Sequence, residues 1–159
     1  LCGVCPVAGD CVARQAGIQA DLPAPRPGRT LPLRHIRMLM LEDESGRILL
    51  EQRPPTGVWG GLWSLPECDP GAELNTWIDE RFGLLSRGFE YGRLIRHGFS
   101  HFRLEIEPVR AGVHPAPDRI RDAVNLYWYR PNGDNRRIGL PGPVRDLIEN
   151  RFPNREDDE

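Results

Sequence analysis

QRPPTGVWGGLWSLPECDPGAELNTWIDERFGL, residues 52–84, decides the fold. The apolar run Ile48, Leu49, Leu50 leads into it as a strand, and Pro54, Pro55, Gly57, Gly60 and Gly61 then break the regular pattern. Beyond the break Leu74, Trp77, Ile78 and Phe82 recur at i, i+3, i+4 and i+8, which predicts a helix over about 72–82 with one apolar face for a sheet. Gly83 follows where a left-handed C-cap is cheapest. The unit is therefore strand, loop, helix. Trp59 and Trp63 among the glycines make a loop packed by its own aromatics, since glycine lets the backbone turn while the indoles anchor it. On spacing alone a purely structural loop is the favoured interpretation.

Upstream, residues 34–43 form a largely apolar strand, Ser45-Gly46 a turn and 47–53 a second strand, so that 34–53 is expected to be a hairpin. Downstream, 88–97 is expected as a third strand. Phe102, Leu104 and Ile106 then alternate with Arg103, Glu105 and Glu107, the pattern of a half-buried antiparallel strand. A Pro-rich loop, His114 to Asp118, leads to Val124, Leu126 and Trp128 alternating with Asn125, Tyr127 and Tyr129. A closing helix near 141–152 carries Val144, Leu147, Ile148 and Phe152 at the same helical spacing. Strands outnumber helices, giving an α+β fold with a mixed or antiparallel sheet packed with helices.

At 159 residues and net charge −2 the chain fits one ordinary domain with an appendage, and no global basic excess points to nucleic acid. All 21 basic residues are arginine, suited to bidentate phosphate contacts, though GC-rich coding explains the bias as well. No apolar run approaches the roughly 20 residues that cross a bilayer, and no signal peptide opens the chain, so a soluble, cytoplasmic protein without membrane partners is expected.

Cys2, Cys5 and Cys11 form a C-x2-C-x5-C array, which suits a metal or an iron–sulfur cluster better than disulfides because one thiol would stay unpaired. Such a site needs a fourth ligand, and Cys68 lies far off beside the Trp loop. The chain starts at Leu1 with this motif already under way, so a piece of a longer protein is expected, its fourth ligand upstream and its cluster absent. Pro23, Pro25, Pro27 and Pro32 then mark a semi-rigid linker. Its arginines, Arg26, Arg29 and Arg34, are solvated linker charge in the plainer interpretation and phosphate contacts in the other. The expected organisation is 1–12 cluster motif, 13–32 linker, 33–153 globular domain and 154–159 acidic tail.

Two places offer chemistry. His97-Gly98-Phe99-Ser100-His101 joins two expected strands, a common position for binding groups. Phe99 is able to stack on a base, Ser100 to read a base edge, and His97, His101, Arg93 and Arg96 to meet phosphates. A hairpin with a buried Phe and solvated histidines is the plainer alternative. Glu67, Asp69, Glu73, Asp79 and Glu80 gather about the 72–82 helix, but no helical pair completes a Mg²⁺ site, because Arg81 follows Glu80.

These residues together closely resemble the C-terminal part of the A/G-specific adenine DNA glycosylases of base-excision repair, the MutY family. The resemblance rests on the Cys array, on LLEQRPPTGVWGGLWSLPE (49–67), on HGFSHFRLEIEP (97–108) and on GLPGPVRDLI (139–148), and spans nearly the whole chain. It implies a Nudix fold similar to MutT and recognition of 8-oxoguanine opposite adenine in double-stranded DNA. It also implies that Phe99, Ser100 and His101 read the lesion, with Ser100 telling 8-oxoguanine from guanine. Cys2, Cys5 and Cys11 would be ligands of a 4Fe–4S cluster in the full-length protein. The catalytic domain of that family would lie upstream of Leu1, so this piece is expected to bind rather than cleave, in a bacterial, nucleoid-associated setting. The alternative is a Nudix pyrophosphohydrolase acting on 8-oxo-dGTP or a related nucleotide. Against it, the hydrolase signature G-x5-E-x7-R-E-U-x-E-E-x-G-U keeps only Glu80, Gly83 and Leu84, its Arg-Glu pair falling on Thr76 and Trp77 and its second helix Glu on Arg81.

Overall fold

Successive residues of one strand feed two separate cores. In β1 (Leu33–Glu42), Met38 and Met40 enter one core while Leu39 and Leu41 enter the other. The period of two makes this unavoidable when a sheet is covered on both faces. The computed structural model describes residues 2–24, 28, 30–115, 125–131, 133, 138–149 and 152. Outside these lie the acidic tail, residues 116–118 of the Pro-rich loop, Val124, and Pro25, Arg26, Pro27 and Arg29 of the linker. Two compact units divide the chain, Leu1–Thr30 and Leu31–Glu159. The first holds a 3₁₀ turn (Cys2–Val4) and the four-residue helix α1 (Val12–Gln15).

In the second unit the other strands are β2 (Ile48–Gln52), β3 (Trp63–Ser64), β4 (Glu67–Cys68), β5 (Leu84–Tyr91), β6 (Ile95–Gly98), β7 (Arg103–Pro115) and β8 (Leu126–Tyr129). Together with β1 they form one mixed sheet of order β3-β2-β1-β7-β5, with β4 on β1, β6 on β7 and β8 on β2. Helix α2 (Leu74–Phe82) covers one face through Leu74, Ile78 and Phe82. Helix α3 (Gly142–Glu149) covers the other through Val144 and Leu147. Each such buried side chain contributes roughly 1.5–3 kcal/mol. Among the described residues no helix is long and apolar enough to cross a membrane.

The expected 34–53 hairpin forms, but its strands pair only beside the turn. Between β1 and β2 only Glu42 and Ile48 pair, and the main partner of β1 is β7, parallel over ten pairs from Leu33↔Arg103 to Glu42↔Gly112. The alternating burial on both faces sets that register, and polar pairs accompany it. Arg37 lies 2.7 Å from Glu107, Arg110 lies 2.6 Å from Glu42 and His35 lies 3.1 Å from Glu105. The turn itself forms at Asp43, whose carboxylate accepts from the amides of Ser45 and Arg47. Burial alone would raise its pKa, but the hydrogen bonds from Arg47 and Ser45 outweigh that and lower it.

The expected third strand, 88–97, is corrected to two, β5 and β6. At Gly92 the backbone passes so near Phe152 and Pro108 that a Cβ would stand 2.8 Å from the Phe152 ring and 2.9 Å from the proline. The closing helix ends at Glu149 in the described residues, and Phe152 is buried beyond it. The four residues of β8 are all half-buried because Leu126 and Trp128 meet one core and Tyr129 the other.

Gly83 caps α2 with φ 66° and donates to Asp79 O at 2.8 Å. At the other end Glu73 is the N-cap, accepting from the amides of Thr76 at 2.8 Å and Asn75 at 3.2 Å. These bonds, Thr76 first, hold its carboxyl down to about 2, from an ordinary 4.5. A depressed carboxyl stabilises the fold above its unfolded pKa and stops doing so as pH falls through the folded one. Glu73→Gln should therefore melt below wild type at pH 7, with the gap narrowing from pH 4.5 downward and closing near pH 2, as thermal scans by circular dichroism would show.

Candidate functional site

β6 and β7 pair from Ile95↔Ile106 to Gly98↔Arg103, and the chain between them turns within four residues. Phe99 N donates to Phe102 O at 2.9 Å, which closes the turn. Ser100 and His101 stand exposed at its tip, with Ser100 Oγ 3.3 Å from His101 Nδ1. Phe102 is the anchor beneath them, 2 % exposed. Phe99 lies stacked on it at 4.5 Å and 20°, so Phe99 is half-buried and only part of its ring faces outward. His97 meets the edge of Phe99 at 4.8 Å. The structure thus brings Phe99, Ser100 and His101 into one turn whose apolar members seat its polar ones.

Arginines surround the turn. A groove of about 650 Å³ runs beside it, lined by Leu31, Leu33, Arg96, His97, Arg103 and Glu105 among others. Arg34 lays its guanidinium over the outer face of Phe102, 4.5 Å from the ring centre. Arg96 reaches Glu105 at 2.9 Å while remaining mostly exposed. The first half of β7 leaves Arg103, Glu105 and Glu107 on a face that α2 does not cover, whereas Val109, Ala111 and Val113 on the same face are buried under it. Sequence reasoning placed Arg34 in the linker and missed Arg103; the parallel pairing of Leu33 with Arg103 brings them to the turn.

A second cleft, of about 240 Å³, lies where α2 meets β2, β3 and β4, and is lined by Glu51, Arg53, Ser64, Glu67 and Arg81 among others. Arg81 Nη2 sits 2.5 Å from Glu51 Oε1, and Arg53 is ion-paired with Glu67. Burial raises the Glu67 pKa above 4.5 and the Arg53 charge opposes the rise. Ser64 Oγ is buried with no hydrogen-bond partner. The donor set does not fit a divalent cation, because two guanidinium groups already neutralise the two carboxylates. Among the described residues no group of three or more His, Cys, Asp or Glu is placed to hold a metal. Cys2, Cys5 and Cys11 lie in the first unit as free thiols. Cys68 belongs to the core beneath α2, where burial pushes its thiol pKa up.

A family model described as NUDIX domain matches residues 37–150. Over 149 residues the chain is 24 % identical to the adenine DNA glycosylase of Buchnera aphidicola subsp. Acyrthosiphon pisum (strain APS), aligning 94 % of this chain with 42 % of that protein. The chain thus spans well under half the length of that relative. Among solved structures, the C-terminal domain of mouse MUTYH, in complex with human PCNA, superposes with TM-score 0.55 at 16 % identity, covering 72 % of this chain and 83 % of that one. A MutT NUDIX hydrolase from Burkholderia pseudomallei superposes with TM-score 0.55 at 18 % identity, covering 74 % and 96 %. At these identities both likenesses are of fold, and the fold is the Nudix, MutT-like α+β arrangement expected from the sequence.

Proposed function

The chain belongs to the NUDIX domain family, and on that premise we propose that its globular unit is the lesion-recognition domain of an adenine DNA glycosylase. It reads 8-oxoguanine opposite adenine in duplex DNA, while the glycosidic bond is cut by another part of a longer protein. The observation that carries this is the Phe99-Ser100-His101 turn: two exposed polar groups on an aromatic seat, flanked by arginines. Similarity to an adenine DNA glycosylase along 94 % of the chain supports it. So does the second cleft, where Arg53 and Arg81 are already paired with its carboxylates, Glu67 and Glu51. Cys2, Cys5 and Cys11 belong to the same proposal as three thiolates for a 4Fe–4S cluster in the longer protein.

The chemistry of discrimination follows from hydrogen positions. Guanine N7 is a bare acceptor in the major groove, whereas 8-oxoguanine carries a proton there. A serine hydroxyl has one proton and two lone pairs. When Ser100 gives its proton to His101 Nδ1, 3.3 Å away, it turns only lone pairs outward. Such an oxygen accepts from the N7–H of 8-oxoguanine and repels the lone pair of guanine. Arg34, Arg96 and Arg103 supply phosphate contacts, so binding should weaken steeply with salt.

The test is titration of the chain at low salt against duplexes holding 8-oxoguanine:adenine or guanine:adenine, beside Ser100→Ala. One hydrogen bond is worth about 1 kcal/mol, so the variant should lose roughly fivefold in the affinity ratio. Equal affinities for the two duplexes in wild type would overturn recognition by this unit. Phosphate release from 8-oxo-dGTP with Mg²⁺ would favour the hydrolase instead.

A further inference from the structure

Trp59 is the only described non-glycine residue with positive φ, at 55°. A bulky aromatic in that region is an outlier that its surroundings must enforce. Enforcement is visible on both sides of it. Gly60 passes so close to the Pro55 carbonyl that a Cβ would stand 2.5 Å from the oxygen, and Gly61 takes φ 74° and donates to Pro54 O at 3.0 Å. Leu62 N donates to Trp59 O at 3.1 Å, and Arg53 N to Leu62 O at 2.9 Å. Arg53 also holds the loop from within, donating from Nε to Val58 O at 2.8 Å, with its guanidinium 6.0 Å from the Trp59 ring centre and tied by its other end to Glu67.

The indole so fixed packs on the first core and also meets the back of the turn. Its ring centre lies 5.6 Å from that of Phe99, the residue next to Ser100 in the turn, and 5.7 Å from that of His97, whose ring meets the edge of Phe99.

We propose that Trp59 is a positioning residue for the lesion-reading turn: the braced 53–62 loop presses its indole on Phe99 and His97, and so fixes where Ser100 and His101 stand. The inference rests on the reading of that turn given above, but its physical core, a turn held from behind, can be measured without DNA. Pre-organising a polar reader in this way lowers the ordering cost of binding and sharpens selectivity.

The experiment compares Trp59→Gly, Trp59→Leu and Trp59→Phe with wild type in the whole 159-residue chain. Glycine relieves the positive φ while removing the ring; leucine keeps apolar bulk on the core without the aromatic contact; phenylalanine keeps a ring. Amide hydrogen exchange across residues 97–102 and the affinity ratio for the two duplexes are read together. Trp59→Gly and Trp59→Leu should exchange the turn amides at least tenfold faster, leave Leu39 and Ile78 protected, and drop the ratio to that of Ser100→Ala, with Trp59→Phe restoring both. Wild-type protection of the turn in Trp59→Leu, which also guards against a misfolded glycine variant, would overturn the proposal. If wild type itself lacks lesion preference, recognition by this unit fails, and exchange alone still decides whether Trp59 holds the turn.

Discussion

Truncating Phe102 to alanine should destabilise the globular unit by about 3–5 kcal/mol, the range for removing a fully buried phenylalanine. Phe102 is 2 % exposed, with Phe99 stacked at 4.5 Å, the edge of His101 at 4.8 Å and the Arg34 guanidinium at 4.5 Å. Its core neighbours include Met38, Leu104, Ile106 and Leu147, which come from three elements and cannot all close on the space at once. Against a total stability of roughly 5–15 kcal/mol such a loss is large. Urea unfolding should show a lower midpoint at unchanged slope. In whatever fraction stays folded, lesion preference should fall as well, because the seat of Phe99 is gone. A loss below about 1 kcal/mol, the average for point substitutions, would mean that the turn is not anchored in the core as described.

The turn was legible in the sequence because its signal is local. Phe102, Leu104 and Ile106 alternate with charged residues immediately after a Gly-Phe-Ser-His step, and that alternation survives unchanged in β7. Helix α2 was legible for the same reason, its three buried residues falling on one helical stripe and Gly83 on its cap. What was illegible depends on distant partners. Arg37 and Glu107 are 70 positions apart, and nothing local reveals that they lie side by side in parallel strands; the nearer antiparallel pairing of β1 with β2 looked sufficient. Gly92 falls inside the expected 88–97 strand, and nothing local reveals that Phe152 and Pro108 lie against it. Glu73 counted as one more helical carboxylate, whereas capping turns it back onto the amides of Asn75 and Thr76. Trp59 was visible as a loop aromatic among glycines, but its contact with Phe99 joins two loops 40 positions apart by their numbering, and only the closed sheet brings them together.

Arg53→Met should lower stability by about 2–4 kcal/mol at pH 7, somewhat less than the 3–5 kcal/mol of a fully buried broken pair, because both partners are 23 % exposed. The methionine keeps much of the apolar stem but leaves Glu67 in a desolvated place with no cation beside it. Burial already raises the Glu67 pKa, Arg53 opposes that rise and Glu51 adds to it, so removing Arg53 must raise it further. A carboxyl whose folded pKa stands above its unfolded 4.5 favours the fold when protonated; that contribution is complete below 4.5 and is lost as pH rises through the folded value. The deficit of Arg53→Met should therefore shrink as the pH is lowered from 7 toward 4.5. Adding Glu67→Gln should remove most of the pH dependence and recover part of the stability at pH 7, since no buried charge then remains unpaired. A deficit of equal size at both ends of that pH range would show that Arg53 acts through packing and its bond to Val58 O rather than through Glu67. The lost Val58 bond is the part that protonation cannot restore, so the turn amides at 97–102 should stay looser in Arg53→Met at every pH.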